Sequence, residues 1–197
     1  MLAKVLSGAT VGLDSVLVTV EVDIASQGLP SFTIVGLPDK AVEESKERVR
    51  AAIKNSGADF PARRITVNLA PADLPKAGPQ YDLPIAVGLL VASGQLNTEL
   101  NSSLFIGELS LDGTLRHTYG ILPMALLTKR QKLTHLFVPE LDSQEAAVIS
   151  SIEVYPVASL LQLFRHFTKS QEITHVPHPP FSEINKSTVY DFDLSDI

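Results

Sequence analysis

The sequence predicts an α/β (α+β) domain, and three stretches carry that expectation. Val16, Val18, Val20, Val22 and Ile24 alternate with Leu17, Thr19, Glu21 and Asp23, the period of two of a half-buried strand. Lys40 to Ser56 sets Val42, Ser45, Val49, Ala52 and Ile53 along one face and charged residues on the others, as an amphipathic helix requires. Leu83 to Ser93 is apolar almost all round, so it is expected to be a central, buried helix.

The remaining elements follow in chain order. Gln27-Gly28-Leu29-Pro30 is a turn, and Ser31 to Val35 reads as a second, pairing strand ended by Gly36-Leu37-Pro38. Asp39 is placed to cap the amphipathic helix and Gly57 to end it. Within that helix Glu44 precedes Arg48 by four residues, a favourable pairing. Ile65, Val67 and Leu69 alternate with Thr66 and Asn68 in a third strand. Ala70 to Tyr81, with Pro71, Pro75, Gly78 and Pro79, must be a loop. Asp82 is expected to cap the apolar helix, with Pro84 tolerated in its first turn.

Phe105 to Leu111 and Thr114 to Thr118 form an expected hairpin around Asp112-Gly113. Ile121 to Gln131 is helical and His135 to Val138 is a short strand. Asp142 to Ser150 is a helix capped by Asp142, Ile152 to Tyr155 a strand, and Ala158 to Thr168 a last helix. Leu160, Leu161, Leu163, Phe164 and Phe167 are its core side. After Lys169 periodicity ends. Pro177, Pro179 and Pro180 mark residues 169–197 as a linker, and the acidic close DFDLSDI leads the chain toward something longer. The expected organisation is one domain over 1–168 and a linker over 169–197.

Composition narrows the function. The 197 residues suffice for one domain with a real core. A net charge of −6 argues against nucleic-acid binding by bulk charge, so any such contact needs a local basic patch. The absence of cysteine excludes disulfides and thiolate zinc sites and fits a cytoplasmic location. No apolar run is long enough for a membrane span, and the N-terminal stretch lacks the apolar core of a signal peptide.

No serine stands in a G-x-S-x-G elbow, and Ser7, Ser26, Ser31 and Ser93 read as turn and cap residues. His175 and His178 are three apart with Pro177 between them and no carboxylate at ligand spacing, so no metal site is expected. No phosphate-binding glycine loop is present. Lys46, Arg48, Arg50, Lys54, Arg63 and Arg64 fall within nineteen residues, diluted by Glu43, Glu44 and Glu47. They are either a solvated helix face or a contact to a phosphate backbone. Arg63-Arg64 is the sharper half, because no acid adjoins it.

Three blocks then support a family statement: SFTIVGLPDKAVEESKERVRAAIKNSG (31–57), FPARRITVNLAPADLPKAGPQYDLPIAVGLL (60–90) and FIGELSLDGTLRHTYGILPMALLTKR (105–130). Together they resemble the N-terminal domain of the magnesium-chelatase-like AAA+ ATPases, the family of competence protein ComM, also called YifB. The resemblance implies a Lon-protease-like domain with mixed sheets and packed helices. A Lon-type site holds its nucleophile in a Gly-Pro-Ser-Ala-Gly turn and its base lysine after a hairpin. Here Gln80 stands in the turn Gly78-Pro79-Gln80-Tyr81-Asp82, and Leu122 follows Tyr119-Gly120-Ile121. A carboxamide cannot form an acyl-enzyme and an aliphatic chain cannot take a proton, so no catalytic residue is assigned and this stretch is expected to be no enzyme.

The family implies a hexameric, ATP-driven branch-migration helicase acting in natural transformation and homologous recombination. No cofactor is assigned to this chain, and ATP and Mg²⁺ are expected for an ATPase domain outside it. The implied partners are single-stranded or branched DNA, reached through a homo-oligomer, with no membrane. Lys46, Arg50, Lys54, Arg63 and Arg64 are the candidates for DNA contact. A purely structural or partner-recruiting domain, or a residual peptidase, are the alternatives. The chelatase label is a naming analogy, and nothing in these residues supports metal insertion into a porphyrin.

Overall fold

The computed structural model describes residues 1–12 and 14–180; the end of the expected linker and DFDLSDI lie outside the described residues. Strand β1 (Leu2–Val11) opens the chain and β2 (Asp14–Ile24) returns antiparallel to it, with Val5 opposite Val20 and Ala3 opposite Val22. β1 adds a strand to the expected set. Ala3, Val5, Ser7 and Ala9 turn inward along it, but three of these side chains are too small to mark the alternation.

β3 (Ser31–Val35) does not pair with β2. It runs parallel to β4 (Arg64–Ala70), with Phe32 opposite Ile65 and Ile34 opposite Val67, while β4 itself pairs antiparallel with β2. The correction has a simple cause. Helix α1 (Lys40–Asn55) lies between β3 and β4, and such a crossover returns the chain in a parallel sense. Asp39 caps α1 as expected, its Oδ1 accepting from the Val42 N–H at 2.8 Å. Val42, Ser45, Val49, Ala52 and Ile53 are its buried residues, the face read from the sequence.

A 3₁₀ turn (Pro79–Tyr81) leads into α2 (Asp82–Ala92). Every residue of α2 except Val91 is buried, and the helix lies across β1 and β2. Burial of a large aliphatic side chain contributes roughly 1.5–3 kcal/mol, so Leu83, Ile85, Val87, Leu89 and Leu90 make α2 a principal source of stability. Gly88 permits the close approach, since a Cβ there would meet Val22 Cγ2 at 2.6 Å.

Phe105 ends β5 (Ser103–Phe105) in the central sheet instead of starting the hairpin. The hairpin is shorter than expected, β6 (Glu108–Leu109) with β7 (Leu115–Arg116). Then come α3 (Ile121–Arg130), β8 (His135–Pro139), α4 (Ser143–Ala147), β9 (Glu153–Val157) and α5 (Leu160–Phe167). The sheet has seven strands in the order β3-β4-β2-β1-β5-β8-β9. β1, β5, β8 and β9 run parallel, so the sheet is mixed.

Alternation in β5, β8 and β9 sorts side chains onto two faces. Phe105, Phe137 and Tyr155 share a register row and stack, at 4.7 Å and 4.8 Å between centroids. They join the larger core with α1, α2 and α5, whereas Leu104, Leu136 and Val154 join the smaller core under α3 and α4. Leu160 and Leu163 are the buried residues of α5; Leu161 is only half-buried. Beyond Lys169 the expected linker first follows the sheet. Val176 bridges Val154, Ile173 is buried, and His178 Nδ1 lies 2.8 Å from the Ala147 carbonyl.

Candidate functional site

The turn that resembles a protease loop is tied down by backbone and by buried polar groups. The Lys76 backbone bonds on both sides of Pro38, donating to Leu37 O at 3.0 Å and accepting from Asp39 N at 2.9 Å. Its side chain is fully buried and its ammonium donates to the Pro71 carbonyl; burial holds its pKa below the usual lysine value. Asp39 Oδ2 accepts from the Gly78 N–H at 3.1 Å. Gly78 sits at φ 88°, where a side chain would be strained, and this bend presents Gln80.

Gln80 is half-buried, and its carbonyl accepts from Gly107 N at 3.0 Å. Tyr81 is fully buried, and its hydroxyl has no hydrogen-bond partner among the described residues. Burial pushes that phenol up to about 12. Leu122 stands in the first turn of α3, where its N–H donates to Glu145 Oε1 at 2.9 Å. No hydrogen bond joins Gln80 to Leu122. Neither side chain is a nucleophile or a base, and the nearest amine in the chain sequence, Lys76, is engaged with Pro71.

Asp82 is not the cap of α2. Its side chain makes no cap bond and instead accepts from Arg48 Nε at 2.6 Å, from Arg48 Nη2 at 3.1 Å and from Leu109 N at 3.1 Å. Asp82 is fully buried, and burial pushes its carboxyl above the ordinary aspartate value against the pull of Arg48. Asp82 in turn holds the Arg48 guanidinium above its usual value. The expected Glu44–Arg48 pairing is therefore not formed. A two-pronged guanidinium satisfies a buried carboxylate better than an exposed glutamate one turn away. The pair joins α1, the start of α2 and the hairpin in one clamp.

Asp142 is likewise drawn away from its expected cap. It accepts from Thr118 N at 2.9 Å and lies 2.5 Å from His117 Nδ1. Among the described residues no group of three or more His, Asp or Glu side chains could hold a metal ion. None of their helices is long and apolar enough to cross a membrane.

The basic candidates fall on the β3 side of the molecule, and the structure brings together only part of them. Arg50, Lys54 and Arg63 line one groove of about 310 Å³ with Phe60, Pro61 and Ser31. The Arg50 guanidinium lies over the Phe60 ring, 5.2 Å from its centroid. Its nearest acid is Glu47 at 3.9 Å, and its Nε is buried without a hydrogen-bond partner among the described residues. Lys54, Arg63 and Arg64 make no ion pair among those residues. Lys46 is tied to Glu43 at 2.5 Å, and Arg64 is exposed at the start of β4, outside the groove lining. The sequence reading missed Phe60. An aromatic residue between two cationic segments is the signal that could have found it.

The family described as subunit ChlI of Mg-chelatase matches residues 20–142. The chain is 41% identical over 203 residues to competence protein ComM of Haemophilus influenzae, covering 100% of this chain and 38% of that protein. It is 40% identical over 190 residues to the uncharacterised protein YifB of Escherichia coli, covering 96% of this chain and 36% of that protein. It is 25% identical over 168 residues to Lon protease of Mycolicibacterium smegmatis, 79% of this chain and 21% of the protease, which is consistent with the Lon-like expectation. The chain thus spans less than two fifths of the length of each of these relatives.

Proposed function

Because this chain belongs to the family of magnesium-chelatase subunit ChlI, we propose that it is a non-catalytic, DNA-engaging and ring-assembling domain of an ATP-driven branch-migration motor in the cytoplasm. The observation that carries the reading is the convergence of Arg50, Lys54 and Arg63 on one groove, with Arg64 nearby and no close acid partner for any of them among the described residues. Cations left unpaired next to an open groove are suited to phosphate, since each contact releases a counterion.

The rest of the site is consistent with a scaffold. The position of a Lon-type nucleophile holds Gln80, that of the base holds Leu122, and a Lys76 amine is sealed into the loop. ATP and Mg²⁺ would serve a motor domain outside this chain, and no residue here is assigned to either. Sixfold repetition in a ring would multiply weak contacts by raising effective concentration, which suits an acidic chain.

The test is a salt titration of DNA binding by the full-length protein that carries this domain. R63Q/R64Q is expected to weaken binding and to lower the slope of log K against log salt by about 1.4–1.8, at roughly 0.7–0.9 per phosphate contact. An unchanged slope and affinity would reject the DNA assignment and leave a domain that serves assembly or partner recruitment.

A further inference from the structure

We propose that the Arg50–Phe60–Arg63 groove is a track for single-stranded DNA, in which one base stacks on the Arg50–Phe60 pair and the adjoining phosphates lie on Lys54 and Arg63. This rests on the DNA-engaging reading and adds to it a strand preference and a named stacking platform.

Four observations carry it. First, the groove is small. At about 310 Å³ it lies at the lower end of the roughly 300–1,000 Å³ range of small-molecule sites, the scale of one base and its neighbouring phosphates. Second, its floor is not only charged. Phe60 is half-buried, tilted against Phe32 at 5.9 Å between centroids, and covered on one side by the Arg50 guanidinium. A planar cation on an aromatic ring offers a base a flat, polarised surface, and stacking of this kind tolerates any sequence. Third, the Arg50 side chain is 42% exposed and its one acid neighbour, Glu47, stands 3.9 Å away, so the outer edge of the guanidinium is open to an incoming acceptor.

Fourth, the groove has a continuation. Pro61 and Arg63 also line a neighbouring groove of about 540 Å³ with Ser26, Asp59, Ser93 and Gln95. Arg63 therefore stands on the ridge between the two, where a strand leaving the first groove must pass. Asp59 is the acid that faces this path. It lines the second groove and not the first, which places the phosphate-holding cations on the Arg50 side. A duplex would present its bases inward and reach only the cations; a single strand presents both bases and phosphates. The chemistry of the groove thus separates the two forms of DNA by its aromatic floor.

The experiment uses the whole chain, titrated at low salt against a fluorescent oligothymidylate of about twelve nucleotides and against its duplex with oligoadenylate, read by anisotropy. F60L keeps apolar volume and removes the ring. It is expected to weaken single-strand binding about 5- to 150-fold, the equivalent of about 1–3 kcal/mol of stacking, and to leave duplex binding within about twofold. R50K, which keeps the charge and loses the plane, should show the same selective loss, and it answers the objection that F60L disturbs packing against Phe32. K54Q/R63Q should weaken both forms of DNA.

If F60L and R50K bind the single strand as tightly as the unaltered chain while K54Q/R63Q binds neither form, the stacking track is overturned and the DNA-engaging reading stands. If K54Q/R63Q also binds normally, both fall. If the unaltered chain binds neither DNA even at low salt, the track is overturned, and the DNA-engaging reading is decided by the titration of the full-length protein.

Discussion

Replacing Arg48 by methionine should be among the most damaging single changes available in this chain at neutral pH. Asp82 is fully buried and receives two hydrogen bonds from Arg48, at 2.6 Å and 3.1 Å, and one from the Leu109 N–H at 3.1 Å. R48M leaves a buried carboxylate with no cation, only the Leu109 N–H and the neighbouring Ser45 hydroxyl. Breaking a buried pair in this way costs about 3–5 kcal/mol. For a domain of this size each kcal/mol moves Tm by about 2–4 °C, so a fall of about 6–20 °C is expected. Thermal unfolding followed by far-ultraviolet circular dichroism is the assay, since the chain has no tryptophan. The companion R48M/D82L removes both charges and should recover most of the loss, because neither charge is then stranded. The pH dependence gives a second readout. Burial raises the Asp82 carboxyl in the folded state, and removal of Arg48 raises it further. A group raised in the folded state stabilises most below its unfolded pKa and loses that contribution as pH rises. The R48M deficit should therefore shrink as pH falls from neutral toward 5. A loss below about 1 kcal/mol at pH 7, or a deficit that grows on acidification, would refute the clamp.

G88A places a methyl group where Val22 Cγ2 stands 2.6 Å away, and overpacking of this kind costs about 1–3 kcal/mol, measurable by urea unfolding. Y81F removes a buried hydroxyl that has no hydrogen-bond partner among the described residues, so it should be neutral or stabilise by up to about 1 kcal/mol. The same variant should blunt alkaline destabilisation. A phenol raised to about 12 in the folded state and near 10 when unfolded supports folding below pH 10 and loses about 2 kcal/mol of that support as pH climbs to 12. Equal alkaline loss in Y81F and the unaltered chain would show that another group is responsible.

The legibility of this chain follows the size of its side chains. β2, α1 and α2 were readable because β-branched and long apolar residues mark their faces unambiguously. Val42, Val49, Ala52 and Ile53 lie buried where periodicity placed them. β1 was not, although it is one of the longest strands, because Ala3, Ser7 and Ala9 give weak alternation and Gly8 exists to admit α3. A Cβ at Gly8 would meet Met124 Sδ at 2.4 Å. Strand order was also beyond periodicity. A pattern of two says that Ser31–Val35 is extended, but its partnership with β4 depends on where α1 returns the chain. The misplaced caps share one cause. Asp82 opens α2 and Asp142 stands just before α4, near where caps belong, yet each is drawn to a distant partner, Arg48 in one case and Thr118 with His117 in the other. Local rules rank local competitors only. At the candidate site the cations were legible as a cluster, but only the fold separates Arg50, Lys54 and Arg63, which share a groove, from Lys46, which is spent on Glu43.

Net charge and local charge lead to opposite expectations for DNA, and distance decides between them. At physiological ionic strength the screening length is about 8 Å, so acids elsewhere on the surface act weakly on a phosphate seated in the groove. What matters is which cations have already been neutralised at contact distance. Lys4 is paired with Glu21, Lys46 with Glu43, Arg48 with Asp82 and Arg130 with Asp14. Lys54, Arg63 and Arg64 have no such partner among the described residues, and all lie near the β3 edge. The net charge of −6 is thus compatible with a basic groove, because Lys54, Arg63 and Arg64 keep their charge close together where α1 meets β4, whereas other cations without an ion pair among the described residues, such as Lys132 and Arg165, are spread along the chain. It also predicts the direction in which salt must act. Lower ionic strength lengthens the reach of the acids as well as of the cations. A single chain should therefore gain less affinity on dilution of salt than its groove contacts alone would give, and a ring with several grooves turned to one strand should gain more.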